Sequence, residues 1–265
     1  MPPLFVGLAS LLAIALPGAG HAAFSAVVGP PRFELRASPG AIVRESIDIA
    51  TDSLETSDFA IRSADWEMAA DGSVVFGEGD PAQGSCRPWL RLERREVRLA
   101  PRFQRKFRFE VHVPADAPTG ECRFAILIEG KEPTASGPEN IRFPLQGRIA
   151  VIVYVAVGDA RPKLEFRSLQ VATFNGREVP SITLANEGNA HGRPEGAIEA
   201  RDANGRSLEF SVSSSPVLPG KVRTLPIWPN AGADGKTPDF AFPLRLRGVV
   251  EWQGGSYTVD TVVRP

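Results

Sequence analysis

The sequence predicts an all-β chain of two immunoglobulin-like β-sandwich domains in tandem. Three observations point there. Apolar residues recur with period two and almost nowhere with the helical period. Turn signals break that alternation about every ten residues. Twenty-five glycines and 24 prolines in 265 residues suit a chain rich in turns.

The elements follow in order. Residues 1–22 read as a secretory signal peptide: Leu4 to Leu16 is apolar and uncharged, and Gly20-His21-Ala22 offers small residues at the cleavage positions. The run is shorter than the roughly 20 apolar residues a spanning helix needs. Cleavage after Ala22 leaves about 243 residues, enough for two domains of ~100–120 residues each.

Extended segments are expected at 32–37, 43–51, 58–67, 89–94, 103–113 and 121–129, with Asp71-Gly72 turning the chain into Val74-Val75-Phe76. In the second segment Ile47 and Ile49 point inward and Asp48 outward. In the fifth, Phe103, Phe107, Phe109, Val111 and Val113 share a face on which Arg105 is the exception. Gln104, Lys106, Arg108, Glu110 and His112 form the wet face. A long last strand spans 140–157. Its first part alternates, with Ile141, Phe143 and Leu145 on one face. Its second part, Ile149 to Val157, is nearly continuous apolar sequence, as in a strand buried on both sides. An outer part lying at a sheet edge would offer unpaired backbone and a row of large apolar side chains to an incoming strand. Pro144, which lacks a donor, fits only an edge. The first domain thus covers 23–157.

Gly158-Asp159-Ala160-Arg161-Pro162 reads as a linker (158–162), and 163–265 as the second domain. Its strands are expected near 164–171, 178–186, 195–202, 206–213, 221–228, 240–252 and 255–263. Asn204-Gly205 and Pro219-Gly220 supply turns, and 229–238 reads as a loop.

The net charge of −1 gives no bulk electrostatic case for nucleic acid or a membrane surface. Over 86–110 nine Arg or Lys face three Glu; this is either a patch for acidic partners or the solvated face of two strands. Cys86 and Cys122 are the two cysteines. An even pair in an exported chain predicts a disulfide, with two free thiols the alternative. Cys122, Phe124, Ile126 and Ile128 share a face, so the sulfur points at the core. Past the signal segment the histidines are His112, on a wet face, and His191, in a loop. No nucleophile elbow, zinc motif, Cys-x-x-Cys, calcium loop or phosphate loop occurs. The reading is therefore a non-enzymatic chain with no cofactor, no metal and no small-molecule substrate.

The layout resembles the periplasmic pilus-assembly chaperones of the PapD-like type, as a divergent member. The likeness rests on Glu45-Ser46-Ile47-Asp48-Ile49, on Trp89-Leu90-Arg91-Leu92 through Val97-Arg98-Leu99-Ala100-Pro101 to Arg108-Phe109-Glu110-Val111, and on Asn140-Ile141-Arg142-Phe143-Pro144-Leu145-Gln146. In the second half it rests on Asn186-Glu187-Gly188-Asn189-Ala190-His191 and Val217-Leu218-Pro219-Gly220. The resemblance implies a periplasmic chaperone that lends a strand to β-rich pilus or surface subunits, with an outer-membrane usher as a further partner. It makes Ile141, Phe143 and Leu145 the donated side chains. It also implies two basic residues that anchor a subunit's terminal carboxylate: Arg32 or Arg36 on the first strand, and Arg148 on the last. The best-matching position on that last strand is Ala150, which departs from the family pattern. The alternative is a structural or adhesive envelope protein built of immunoglobulin-like domains.

Overall fold

The computed structural model describes residues 25–69, 71–82, 84–131, 134–136, 142–144, 147–232 and 234–265. The expected signal peptide and its cleavage point therefore lie outside the described residues. The chain is all-β, with a single 3-10 turn at Arg87–Trp89 among the described residues.

The first half forms two facing sheets. One runs β1 (Val27–Gly29), β3 (Ile42–Ala50), β8 (Gln104–His112), β6 (Leu90–Leu92), all antiparallel. The other runs β2 (Arg32–Ala37), β12 (Arg148–Val157), β9 (Gly120–Gly130), β4 (Ser57–Met68), β5 (Val74–Gly77), with β7 (Glu96–Leu99) also on β4. Between β1 and β2 the chain changes sheets at Pro30-Pro31, two residues without a backbone donor, so neither ladder can continue through them. β2 then runs parallel to β12, from Arg32 opposite Ile152 to Ala37 opposite Val157.

Alternation places the core. Ile47, Ile49, Phe107, Phe109, Phe124 and Ile126 are buried between the sheets, and Phe33 meets Phe109 edge-on at 5.2 Å. Lys106 and Arg108, between the buried positions of β8, are exposed. Phe103 departs from the sequence reading. It precedes β8, is 55% exposed, and belongs to a turn in which Arg102 has φ 53° and the Phe103 carbonyl accepts from the Thr51 amide. A turn residue is not bound by the parity of the strand that follows it.

The strand expected over 140–157 is not continuous. Arg142–Pro144 forms β11, which pairs with β10 (Thr134–Ser136) in a two-stranded sheet, and β12 begins only at Arg148. Glu129 opposes Arg148 on one side of the break and Thr134 opposes Pro144 on the other. These pairs are one residue out of step, although Gly147 itself keeps the β12 register, its carbonyl accepting from the Gly130 amide at 3.1 Å.

The second half is a single folded sheet in the order β13 (Leu164–Phe174), β14 (Arg177–Asn186), β17 (Val222–Pro229), β16 (Ser207–Val212), β15 (Ala197–Arg201), β18 (Leu244–Trp252), β19 (Gly255–Val263). β17 turns the corner: Val222 to Pro226 pair with β14, and Ile227 to Pro229 pair with β16. Folding brings the ends together, so that Phe166 of β13 stacks on Tyr257 of β19 at 3.7 Å. Ile182, Ile198, Phe210, Leu225 and Leu246 fill the space between. The Asn204-Gly205 turn is built as the sequence suggests. Gly205 has φ 77°, and the Asp202 carboxylate accepts from the amides of Asn204 and Arg206.

Candidate functional site

The edge of β12 is set by where β2 stops covering it. β9 flanks β12 along its whole length, but β2 pairs only from Ile152 onward. Residues 148–151 therefore have a neighbouring strand on one side only among the described residues. β11, which continues the chain upstream, pairs on one side only as well, with β10. Phe143 is the middle residue of β11, opposite Ala135. Ile141 and Leu145 lie outside the described residues.

Arg32, Arg36 and Arg148 share the outer face of the β2–β12 sheet but are not gathered into one site. By register Arg32 sits beside Ile152 and Arg36 beside Ala156, with Arg148 four residues before Ile152. Each step of four residues is about 13 Å. Each arginine also has a local partner. Arg32 Nε lies 2.9 Å from Glu34, and Arg36 reaches Gln253 at 3.5 Å. Arg148 contacts Glu78 at 2.9 Å and the buried carboxylate of Glu129, which Arg62 approaches at 3.2 Å from another strand. The resulting quartet of two cations and two anions leaves Arg148 no surplus charge.

Cys86 and Cys122 are bonded, with Cα atoms 5.6 Å apart, and Cys86 is fully buried in the first core. The bridge fastens the segment before the 3-10 turn to β9. Part of the basic run at 86–110 is paired in place. Arg98 grips Asp58 with two bonds of 2.8 and 2.9 Å, Lys106 pairs with Asp48, Arg108 with Glu93 and Arg87 with Asp65.

The residues that the sequence left without a role gather where the two halves meet. His191, in the β14–β15 loop, donates its backbone amide to Glu121 at 3.2 Å and brings Nδ1 to the same carboxylate at 2.6 Å. Its Nε2 faces Glu34 at 3.5 Å. Its ring lies on Tyr154 of β12, centroids 4.0 Å apart. Arg193 donates to Glu34 at 3.2 Å, to the Tyr154 hydroxyl at 3.3 Å and to the Ser214 carbonyl at 3.0 Å. Side-chain exposure is 8% for His191 and 3% for Glu121, so this pair is shielded from water. Burial pushes the Tyr154 hydroxyl up to about 12, with the Arg193 cation pulling the other way. Partial burial would raise the Glu34 carboxyl, but His191, Arg193 and Arg32 outweigh it and hold it below its ordinary value.

A cavity of about 290 Å3 opens beside this cluster, with Arg36, Glu195 and Gln253 on its rim. It mixes acids and bases that are already paired with one another. Among the described residues no group of three His, Cys, Asp or Glu is placed to hold a metal ion. What the arrangement does is join. Leu218 from the second half completes a second apolar cluster with Trp66, Leu127 and Tyr154 on the outer face of the first. The residues between the halves are stapled as well. The Arg161 amide donates to the Asn189 side chain at 2.8 Å, and the Glu187 amide to the Lys163 carbonyl at 2.9 Å. Sequence signals for this clasp existed. Tyr154 is the polar group inside an apolar run, and Asn189-Ala190-His191-Gly192 is a loop in which Gly192 lies against Leu164 so closely that a Cβ would collide with it.

No protein-family model matches the chain, and no curated protein matches its sequence. Among solved structures it is similar to the YadV chaperone, at 9% identity over 90% of this chain and 100% of that one, with a TM-score of 0.47. It is also similar to the class 5 fimbriae chaperone CfaA, at 12% identity over 91% and 99%, with a TM-score of 0.48. The CupB2 chaperone of Pseudomonas aeruginosa is similar at 14% identity over 90% and 100%, with a TM-score of 0.46. The chain is thus similar over about nine-tenths of its length to solved pilus chaperones, at low sequence identity.

Proposed function

We propose that this chain is an exported periplasmic chaperone that binds β-rich pilus or surface subunits by strand addition. The first domain, 23–157, would hold the client, and the second, 163–265, would be fixed to it through the junction at 158–162. One observation carries the reading: from Arg142 to Pro144 and again from Arg148 to Val151 the backbone has a partner strand on one side only among the described residues. A client strand adding there gains main-chain hydrogen bonds, and alternate side chains supply selectivity. Ile141, Phe143 and Leu145 are the proposed donated side chains. The pairing of Arg32, Arg36 and Arg148 with local partners speaks against a ready-made carboxylate anchor built from those three.

The test is co-purification from the native periplasm. The tagged chain is expected to bring down a β-rich subunit at one-to-one stoichiometry. Phe143→Glu is expected to lose it while keeping the melting temperature. Hydrogen exchange at residues 142–151 should slow in the complex. Capture that is indifferent to Phe143→Glu, with unchanged exchange at 142–151, would sink the proposal.

A further inference from the structure

A second groove, of about 480 Å3, lies between the end of β4 and the start of β17. Its walls are Met68, Phe174, Leu218 and Val222, and its charged lining residues are Lys221 and Arg223, with no acid among them. Val222 is 66% exposed, among the most exposed large apolar residues of the described chain. Among the described residues β17 has a neighbouring strand on one side only here: Val222 to Leu225 pair with β14, whereas pairing with β16 starts only at Ile227.

Arg223 is the anomalous group. It is half-buried, donates to the Pro216 carbonyl at 2.9 Å and rests on the Met68 sulfur. Among the described residues it makes no ion pair within 4.0 Å. Burial depresses its pKa and repulsion from Arg193 adds to this, with Tyr154 acting the other way. The Asp71-Gly72 turn of the β4–β5 hairpin packs against its guanidinium; a Cβ at Gly72 would stand 2.6 Å from it. A guanidinium partly withdrawn from water without a counter-ion bears a desolvation cost that a carboxylate would offset through charge-assisted, two-pronged hydrogen bonds.

We propose that this groove is a docking site for an extended segment of a protein partner, apolar apart from one acidic side chain that pairs with Arg223. Apolar flanking residues cover Val222 and Leu218, and this edge of β17 offers backbone pairing to the segment. Charge complementarity selects the partner: a wholly apolar segment leaves Arg223 unpaired, and a basic one is repelled by Lys221 and Arg223. The site is separate from the edge at 142–151 and does not rest on its use.

The probe is a fluorescein-labelled, C-amidated peptide Thr-Val-Asp-Leu-Val-Ser, titrated by anisotropy with the full mature chain and compared with its Asn counterpart. The Asp peptide is expected to bind roughly tenfold more tightly than the Asn peptide, the scale of one charged hydrogen-bonded contact. Arg223→Gln is expected to erase that difference and Arg223→Lys to restore part of it. Val222→Glu, at an exposed position, is expected to weaken the Asp peptide while leaving the melting temperature unchanged. Phe143→Glu is expected to leave it unchanged, which separates this site from the strand-donation reading. Equal affinity for the two peptides, or indifference to Val222→Glu, would overturn the proposal. So would full competition by millimolar inorganic phosphate, the mark of a general anion site, or a Val222→Glu change in sedimentation of the free chain, the mark of a second copy in the groove.

Discussion

Tyr154 holds its hydroxyl between two protein halves, within 3.3 Å of an Arg193 nitrogen and under the ring of His191. Ionising that phenol places a charge in a poorly solvated site, which is why its pKa rises from 10.0 to about 12. The sign follows from linkage. A group whose folded pKa is raised stabilises the fold below its unfolded pKa, and that contribution is lost as pH climbs through the folded value. Between about pH 10 and 12 the chain should therefore lose on the order of 2–3 kcal/mol through this residue. Urea melts across that window should show the loss in the native chain and not in Tyr154→Phe. Absorbance at 295 nm should show one late-titrating phenol that vanishes in the variant. Glu34 acts at the other end. Its lowered carboxyl contributes stability above its unfolded value, fading as pH falls, but its exposure and solvent screening make the effect small. The disulfide joins two residues and constrains the unfolded chain. Replacing Cys86 and Cys122 by Ala should lower unfolding free energy by about 3–4 kcal/mol in denaturant titration, since it frees a loop with a sequence separation of 36.

Among the elements, strands with one wet face could be read from sequence and short strands could not. β8 announces itself by Phe107, Phe109 and Val111 alternating with Lys106, Arg108 and Glu110, and β12 by an unbroken apolar run that the structure covers on both faces. β1, β7 and β10 have three or four residues each, too few for a period to emerge, and they escaped notice. The change of register between β11 and β12 does not show in the sequence, because alternation from Ile141 to Leu145 says nothing about register with the partner strand. Junction geometry was hidden for a similar reason: Gly188 looks like any loop glycine. In the structure a Cβ there would lie 2.4 Å from both the Arg161 carbonyl oxygen and the Lys163 amide nitrogen. Backbone on both sides cannot retreat, so Gly188→Ala should cost about 1–3 kcal/mol. Small-angle scattering should show the halves loosened. A variant with unchanged stability and scattering profile would mean that the 158–162 segment yields without effect.

At the scale of the whole molecule, the angle between the halves is held by well-shielded contacts, His191 with Glu121 among them. The pair comes from residues 70 apart in sequence, with side-chain exposures of 8% and 3%. None of that distance is visible in the chain, where His191 reads as a loop residue and Glu121 as a strand end. Removing one member of a shielded hydrogen-bonded pair leaves the other without its partner, and such losses run to about 1–3 kcal/mol. Removing both leaves no unsatisfied partner. His191→Ala and Glu121→Ala should therefore each destabilise strongly, while the double variant should cost clearly less than the two together, with a coupling above about 1 kcal/mol. For the proposed chaperone function a rigid elbow matters only if a client spans it, so the same variants should be compared for subunit capture at a temperature where all remain folded. If capture falls with the singles in step with a broadened scattering distribution, the fixed angle contributes to binding. If the energies are additive, the contact at 2.6 Å is incidental, and Leu218 seated on Trp66 and Tyr154 is what locks the elbow.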